Sequence, residues 1–325
     1  MKTLILGAGA IGTLLGAYMT RGGAGVTMLD LPETAARLNK EPVEIRTNSG
    51  ESFKVRLNAV DDSRLLKDID FVIVCVKTFH TDEAVSSIAH LRDRIQAIVS
   101  IQNGVDKEGI LERYFGRDKV IGGCCLEAAT REDEMIIRHT MSVITYLGEL
   151  DGSITPRVRA AVKMMNDGGL KAEASTKVVS ADWCKWINFA AGSAICGLTG
   201  LPYYKALLNP HSADLIAQLY CEYAELATAS GVEVDDYPGF EVKTISRASR
   251  EEAVRLLQTR GEDLKAKGAT KVMASLARDL ISGRPTERES IFGFALREAQ
   301  VKNVSMPLTR HVYALMSAME QSREC

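Results

Sequence analysis

The feature that most constrains this chain is a glycine pattern placed between a predicted strand and a predicted helix. Gly7-Ala8-Gly9-Ala10-Ile11-Gly12 follows an apolar run at residues 3–6 and leads into a helical pattern at residues 11–20. A second apolar run, residues 25–30, ends in an acid. In such a unit the first glycine permits a tight turn, the second lets the backbone approach a pyrophosphate, and the third allows close packing of helix on sheet. The pattern predicts a dinucleotide-binding βαβ unit.

The acid that ends the second strand bears on the choice of cofactor. A carboxylate at Asp30 can accept hydrogen bonds from both hydroxyls of the adenosine ribose, and it repels a 2′-phosphate. Leu31 follows, where an arginine would help to hold NADP. We therefore expect NAD or NADP, with NAD favoured by Asp30, and Arg37 or Lys40 as side chains that could still fold back onto a 2′-phosphate.

The rest of the first half alternates strand and helix patterns. Strands are predicted at residues 71–76 and 97–101, and helices near residues 81–91 and 107–115. This alternation predicts a Rossmann-type parallel sheet with helices on both faces. Residues 119–147 are β-like and are expected to be later strands of the same sheet, with antiparallel members open as an alternative.

The second half is predicted to be helical, because strand patterns stop after about residue 176. Helical patterns occupy residues 178–195, 213–230, 250–257, 271–281 and 287–301. Pro210, Pro238, Pro285 and Pro307 fall in the gaps between these patterns. With 325 residues, two domains are expected. We predict a dinucleotide-binding Rossmann-type domain at 1–176 and an all-helical domain for substrate binding and dimerisation at 177–325.

Composition excludes several classes of partner. The net charge is −2 and the basic residues are scattered, so neither nucleic acid nor an anionic membrane is expected to bind. No apolar run is long enough to cross a bilayer. The seven cysteines, of which Cys325 is the last, include no CxxC pair and no zinc-ligand spacing. They predict reduced thiols, a cytoplasmic location and no metal site.

Two polar features follow predicted strands of the sheet. Lys77 follows the predicted strand at residues 71–76, and Asn103-Gly104 follows the one at residues 97–101. Ligands of open α/β sheets bind at the carboxyl ends of strands. A solvated lysine and an ordinary turn would also account for these residues, but their shared edge favours a functional interpretation.

Together these motifs resemble the ketopantoate reductase family, whose members reduce 2-dehydropantoate to pantoate with a nicotinamide cofactor. The glycine pattern, Lys77 and Asn103-Gly104 match its N-terminal motifs in order. Trp183-Cys184-Lys185 is similar to its W-x-K motif, and Ser275, which precedes Asp279 by four residues, to its carboxylate-binding serine. Gly283-Arg284-Pro285-Thr286-Glu287 is similar to its G-R-x-T-E run.

The resemblance implies roles for these residues. Lys185 and Glu287 would be catalytic, Asn103 and Ser275 would bind substrate, and the glycine pattern, Lys77, Asn103 and Glu287 would contact the cofactor. Hydride arriving at a ketone carbon leaves negative charge on oxygen, so a cation that can donate a proton belongs beside it. Lys185 meets both needs.

The expected substrate pocket departs from the family pattern. The family has asparagines four and eight residues after the catalytic lysine, where this chain has Phe189 and Ser193. Asn188 comes one residue early, about 100° away on an ideal helix. Phe292 lies in the run after Glu287, where the family has polar residues. Asn188 and Ser193 are expected to be the remaining substrate contacts on this helix.

We interpret the chain as an NAD(P)H-dependent 2-oxoacid reductase of ketopantoate-reductase type, which would place it in pantothenate biosynthesis. A homodimer through the helical domain is expected. One alternative is a dehydrogenase of the same fold acting on another 2-hydroxy acid or an opine-like substrate, as Phe189 and Phe292 suggest. Another is a non-catalytic dinucleotide sensor, against which the presence of both Lys185 and Glu287 argues.

Overall fold

The computed structural model describes residues 1–322, so Cys325 lies outside the described residues. The chain forms two compact units, one of residues 1–102 and 106–179, the other of residues 103–105 and the chain from Ser180 onward. The domain boundary expected near residue 177 stays a prediction, because compactness alone does not show that either part folds independently. In the described part of the chain, every helix is too short or too polar to cross a bilayer.

The first unit is built on one mixed sheet of ten strands. The strands are β1 Lys2–Leu6, β2 Gly25–Leu29, β3 Val43–Thr47, β4 Ser52–Val55, β5 Asn58–Val60, β6 Phe71–Val74, β7 Ala97–Ser100, β8 Val120–Asp133, β9 Ile136–Glu149 and β10 Ala172–Ala174. The order β5-β2-β1-β6-β7-β8 is parallel throughout. It is the Rossmann-like order, with the strand sequence reversing direction between β1 and β6. The predicted Rossmann-type fold is confirmed.

The central strands form because their side chains can be buried on both faces. Every residue of β6 and β7 is buried, which matches their unbroken apolar sequences. Alternate residues of one strand enter two separate cores. Ile5 packs on one face of the sheet, whereas Leu4 and Leu6 pack on the other.

A long hairpin extends the sheet beyond the Rossmann-like strands. β8 and β9 are antiparallel, with pairing shifts near Cys125, Ala128 and Arg131. β9 also pairs in parallel with β3, which is itself antiparallel to β4. β3, β4 and β5 are absent from the sequence-based expectation, because they are short and carry few consecutive apolar residues.

Five helices accompany this sheet. They are α1 Ala10–Arg21, α2 Pro32–Lys40, α3 Thr81–Ser87, α4 Lys107–Phe115 and α5 Pro156–Gly168. α1 and α5 contribute Leu15 and Val158 to the core on one face, and α3 and α4 contribute Val85 and Leu111 to the other. This arrangement leaves the N-terminus of α1 at the carboxyl end of β1.

The second unit is almost entirely helical. Its helices are α6 Val178–Thr199, α7 Tyr203–Leu208, α8 Pro210–Ala229, α9 Val242–Arg247, α10 Arg250–Ala266, α11 Ser275–Ile281, α12 Phe294–Lys302 and α13 Pro307–Gln321. A two-residue strand pair, β11 Asp236–Tyr237 with β12 Phe240–Glu241, is the exception to the predicted all-helical content.

Two prolines assigned to gaps in fact begin helices. Pro210 and Pro307 occupy the first turns of α8 and α13. Proline is tolerated there because the N–H it lacks has no partner inside the helix, and its fixed φ suits the first turn. α13 was missed for this reason. Glu222 on α8 completes the start of α13 by accepting from the backbone N–H groups of Leu308 (2.8 Å) and Thr309 (2.9 Å).

Candidate active site

The glycine turn has the geometry that its sequence predicts. Gly7 adopts a φ of +102°, and its N–H donates to the Leu29 carbonyl at 2.9 Å. A Cβ at Gly12 would lie 2.0 Å from the Gly7 oxygen, whereas a Cβ at Gly9 would meet nothing within 4 Å. Gly7 and Gly12 are therefore required by the protein itself. The open space at Gly9, beside the N-terminus of α1, is where a pyrophosphate can approach.

Asp30 lies directly against this turn. Its Oδ2 accepts a hydrogen bond from the Ala8 N–H, and its Oδ1 accepts from the Leu31 N–H at 2.8 Å. These bonds hold the carboxylate at the end of β2, beside the glycine turn. The side chain is thus placed where the adenosine ribose of a dinucleotide is expected.

Arg131 is a neighbour of Asp30 that the sequence did not reveal. It comes from the far end of β8 and donates to the Ala8 carbonyl at 2.7 Å and to the Glu134 carbonyl at 2.6 Å. Enclosure of the guanidinium lowers its pKa from the usual value, Arg37 acts in the same direction, and Asp30 and Glu134 oppose them. Arg37 is paired with Glu134 at 2.6 Å. No local motif signals Arg131, since only the length of β8 brings it here.

Gln102 joins the two loops that carry Lys77 and Asn103. Its Nε2 donates to the Val76 carbonyl (2.6 Å) and to Thr81 Oγ1 (2.7 Å), and its Oε1 accepts from Ser100 Oγ (2.8 Å). These bonds fix the backbone on either side of Lys77, which is half-buried and lies beyond the end of β6. Gln102 was not predicted to belong to the site, although its neighbour Asn103 was.

A buried lysine supports the same loop. Lys107 is 1% exposed, and its Nζ donates to the carbonyls of Gln102 (3.2 Å) and Gly123 (3.0 Å). A charged donor in a dry interior stabilises the carbonyls that it reaches. The residue immediately before Asn103 is therefore held through both its side chain and its backbone.

The second unit contains a narrow cleft along α6. Its lining residues are Asn103, Gly104, Asp182, Lys185, Trp186 and Phe189. Lys185 is half-buried, and within residues 1–322 no carboxylate oxygen lies within 4 Å of its Nζ. The structure thus brings Lys185 and Asn103 together and leaves the ammonium without a salt-bridge partner. Asp182, three residues before Lys185, and Trp186, the residue after it, also line the cleft but were not predicted from the sequence.

The remaining predicted substrate residues differ in how accessible they are. Asn188 is half-buried, and its Oδ1 accepts from Tyr220, Tyr203 and Arg260. Ser193 has no exposed surface, so contact with a ligand would require the packing around α6 to open. Ser275 is half-buried at the first position of α11.

Phe189 and Phe292 also differ. Phe189 lines the cleft beside Lys185, whereas Phe292 is 0% exposed and fills the interior of the second unit. Of the two phenyl rings that were expected to alter the substrate pocket, the structure places only Phe189 at the cleft. The apolar character of the cleft therefore depends on Phe189 and Trp186.

Glu287 stands at an irregular part of the backbone. It is 5% exposed, and a π-helical turn at Glu289–Gly293 begins two residues later. Its carbonyl accepts from Ser290 Oγ and from the Ile291 N–H, both at 3.1 Å. π-helical turns are rare and concentrate at functional sites. Helix α13 packs against the segment that follows Glu287. The Arg288 guanidinium lies 4.9 Å from the centre of the Tyr313 ring and pairs with the Glu320 carboxylate at 3.5 Å.

Comparison with known proteins agrees with this geometry. The family model described as ketopantoate reductase PanE/ApbA matches residues 3–152, and its C-terminal counterpart matches residues 177–320. Among curated relatives, the 2-dehydropantoate 2-reductase of Archaeoglobus fulgidus is 24% identical and that of Halobacterium salinarum 22%. The alignments cover 98% of both chains for the first, and 95% of this chain and 96% of the relative for the second.

Solved structures share the whole fold. A D-mandelate dehydrogenase in a ternary structure with NADH and anilino(oxo)acetate superimposes with a TM-score of 0.84 at 20% identity, covering 100% of both chains. A PanE/ApbA family ketopantoate reductase from Ralstonia eutropha JMP134 does so with a TM-score of 0.81 at 22% identity, also over 100% of both chains. The chain therefore belongs to the ketopantoate reductase PanE/ApbA family and is an NAD(P)-dependent oxidoreductase of that family.

Proposed function

We propose that this protein reduces the ketone of a 2-oxoacid to the 2-hydroxy acid, with NADH as the preferred cofactor and Lys185 as the proton donor. One observation carries the proposal. Lys185 is half-buried in a cleft with Asn103 and has no salt-bridge partner among residues 1–322. An unpaired ammonium in such a place can stabilise a developing alkoxide and then protonate it.

The preference for NADH rests on the charges around Asp30. Asp30 and Glu134 are negative, Arg37 and Arg131 are positive, and all four lie close together. The two arginines are engaged with Glu134 and with backbone carbonyls, so no excess positive charge awaits a 2′-phosphate. The Asp30 carboxylate would instead accept hydrogen bonds from the ribose hydroxyls.

Each of the four candidate residues has a separate role in the proposed reaction. A bound dinucleotide supplies the hydride that reduces the C2 carbon of the substrate. Lys185 faces the ketone oxygen, reduces the cost of its negative charge and transfers a proton to it. Asn103 donates an amide hydrogen bond in the same cleft, and Ser275 binds the substrate carboxylate. Glu287 accepts a hydrogen bond from the substrate.

Two kinds of substrate side group are consistent with the family. Ketopantoate carries a hydroxyl group, for which the lining of the cleft offers Asn103 and Asp182. Phe189 and Trp186 favour an apolar or aromatic side group, because a missing hydrogen-bond partner costs discrimination and an aromatic ring favours apolar bulk. The ligand in the D-mandelate dehydrogenase structure, anilino(oxo)acetate, is an oxoacid with a phenyl ring. We therefore propose an aryl or branched 2-oxoacid ahead of ketopantoate. The cytoplasmic location and the homodimer stay predictions.

The test is a screen of NADH and NADPH oxidation over ketopantoate, 2-oxoisovalerate, phenylglyoxylate and pyruvate. We expect the highest kcat/KM for phenylglyoxylate or 2-oxoisovalerate with NADH. If ketopantoate is clearly the best substrate, the inference from Phe189 is wrong while the reductase assignment stands.

Lys185→Ala tests whether the protein is a reductase or a sensor. We expect turnover to fall by a factor on the order of 100 or more, because a positioned general acid contributes about that much. Binding of NADH, followed by fluorescence, should not change. Lys205→Ala, which removes an exposed lysine from α7, is the matched control. Equal turnover of the two variants would contradict the role of Lys185, and a wild-type protein that binds NADH but reduces nothing would favour the sensor.

A further inference from the structure

Ala8 in the glycine turn is held at both of its backbone groups by side chains of opposite charge. Its N–H donates to Asp30 at the end of β2, and its carbonyl accepts from Arg131 Nη2 at 2.7 Å. A second donor, Thr13 Oγ1, reaches the same carbonyl at 2.9 Å. Arg131 Nη1 donates to the Glu134 carbonyl at 2.6 Å, in the turn between β8 and β9. The glycine turn is therefore tied to this hairpin as well as to β2.

The hydrogen bond from Arg131 bears on the N–H of the residue after Ala8. The Ala8–Gly9 peptide is trans, so its carbonyl and its N–H point in opposite directions. The Gly9 N–H therefore points away from the guanidinium, and within residues 1–322 it has no hydrogen-bond acceptor. A Cβ at Gly9 would meet nothing within 4 Å, so open space adjoins this residue. Gly9 thus offers a donor to the pyrophosphate at the N-terminus of α1.

A cation bound to the carbonyl of a peptide makes the N–H of the same peptide a stronger donor. The charged donor draws electron density towards the carbonyl oxygen, and hydrogen bonds in a chain polarise one another. Arg131 also restrains this peptide, because its bonds to the carbonyls of Ala8 and Glu134 hold the guanidinium at two points. Both effects favour a phosphate oxygen that accepts from Gly9.

We propose that Arg131 is a positioning residue for the cofactor pyrophosphate, which acts through the Ala8–Gly9 peptide and not on the 2′-position of the adenosine ribose. Its Nη1 and Nη2 both donate to backbone carbonyls, so the guanidinium is committed to the turn before a ligand arrives. The inference goes beyond the proposed function, because it requires only that a dinucleotide binds at the glycine turn. It applies to NADH and NADPH alike and to any substrate.

Arg131→Met tests this role, because it removes the guanidinium and keeps most of the unbranched side chain. Arg131 is accessible to solvent, so the change leaves no cavity in the core, and the melting temperature without cofactor should stay nearly unchanged. We expect the Kd of NADH and the Kd of NADPH, both measured by fluorescence titration, to rise by the same factor of about ten. The ratio of the two Kd values should therefore stay that of the wild type.

Two further variants serve as the rescue and the control. Arg131→Lys restores a cationic donor for the Ala8 carbonyl and should recover most of the lost affinity. Arg138→Met removes the same charge from the same hairpin, where the hydrogen bonds of Arg138 go to Glu132, one of them at 3.1 Å. It should leave both Kd values unchanged. ADP-ribose, which carries the pyrophosphate but no nicotinamide, should bind Arg131→Met more weakly by the same factor as NADH.

Several outcomes would overturn the inference. They are unchanged NADH binding by Arg131→Met, loss of its fold, and an equal loss of affinity in Arg138→Met. A loss confined to NADPH would show instead that the guanidinium serves the 2′-phosphate. These titrations contain no substrate, so a wild type that binds NADH but reduces no 2-oxoacid would end the proposed function and leave this inference standing. A wild type that binds neither NADH nor NADPH would overturn both.

Discussion

At the residue scale, cofactor choice depends on the balance of charge beside the glycine turn. Asp30 is held against the turn by backbone N–H groups of Ala8 and Leu31, and Arg131 approaches the same turn through the Ala8 carbonyl. A 2′-phosphate would therefore meet a carboxylate in a fixed place as well as a guanidinium. We expect the repulsion by this carboxylate to decide, because the two nearby arginines are already engaged with Glu134 and with backbone carbonyls.

Asp30→Asn tests this balance. The amide removes the negative charge and one ribose acceptor, so kcat/KM with NADH should fall and kcat/KM with NADPH should rise. We expect the ratio of the two to change by about tenfold, which corresponds to about 1.4 kcal/mol. Glu33→Gln, a neutralised exposed carboxylate in the first turn of α2, is the control and should leave the ratio unchanged. An unchanged ratio for Asp30→Asn would contradict the assignment of NADH.

At the element scale, the turn between β1 and α1 contains glycines needed for two different reasons. Gly12 has no room for a methyl group because the Gly7 oxygen lies 2.0 Å from the position of its Cβ. Gly9 has room, and its φ of −65° suits any residue. The protein thus requires Gly12 for its fold, whereas Gly9 leaves open the space that a pyrophosphate needs.

Gly12→Ala should therefore affect mainly the stability of the protein, whereas Gly9→Ala should affect mainly the binding of the cofactor. Gly12→Ala should lower the stability of the cofactor-free protein by about 1–3 kcal/mol, because the turn must shift to admit a methyl group. Gly9→Ala should leave the melting temperature nearly unchanged and weaken NADH binding. Thermal unfolding without cofactor and a fluorescence titration with NADH give the two measurements. A large loss of stability in Gly9→Ala would show that its role is structural.

The same scale shows what the sequence could predict. The turn and the strands β6 and β7 were predictable because local sequence determines them: glycines at fixed spacing and unbroken apolar runs. β3 and β4 were not, since both are short, β3 pairs with β9, a strand far along the chain, and β4 pairs only with β3. α13 was missed because a proline can begin a helix as well as end one.

The residues of the candidate site likewise fall into two groups, those that the local sequence identifies and those that only the fold brings to the site. Lys185, Asn103 and Asp30 lie in recognisable runs and could be named from the sequence. Arg131 and Arg260 come from distant parts of the chain. Arg131 contacts the Ala8 carbonyl and Arg260 contacts Asn188 because the fold brings these residues together. No spacing in the sequence indicates either contact.

At the scale of the whole molecule, each unit contains a partly or fully buried carboxylate that is paired with an arginine. In the first unit, the hydrogen bond from Arg157 is the main reason that the pKa of Glu149 lies below its usual value. In the second, Arg250 lowers the pKa of Asp214. The Glu149 side chain is 9% exposed and that of Asp214 25% exposed. Arg157 also donates to the Gln96 carbonyl at 2.9 Å. The Glu149–Arg157 pair therefore links α5 to the end of β9 and to the residue before β7.

The two pairs should therefore contribute unequally to acid sensitivity. A carboxyl group whose pKa is lower in the folded state contributes stability above its unfolded pKa, and that stability is lost as pH falls through the folded pKa. We expect Glu149→Gln to reduce stability at pH 7 by about 1–3 kcal/mol. Asp214→Asn should cost less, about 0–1 kcal/mol, since water screens the more exposed pair. Both losses of stability relative to the wild type should shrink as the pH falls below about 4, where the unfolded carboxyl groups are protonated.

Urea unfolding between pH 7 and pH 3 measures these losses, with Asp93→Asn as an exposed control. A Glu149→Gln deficit that persists undiminished at pH 3 would mean that packing, and not charge, accounts for its cost.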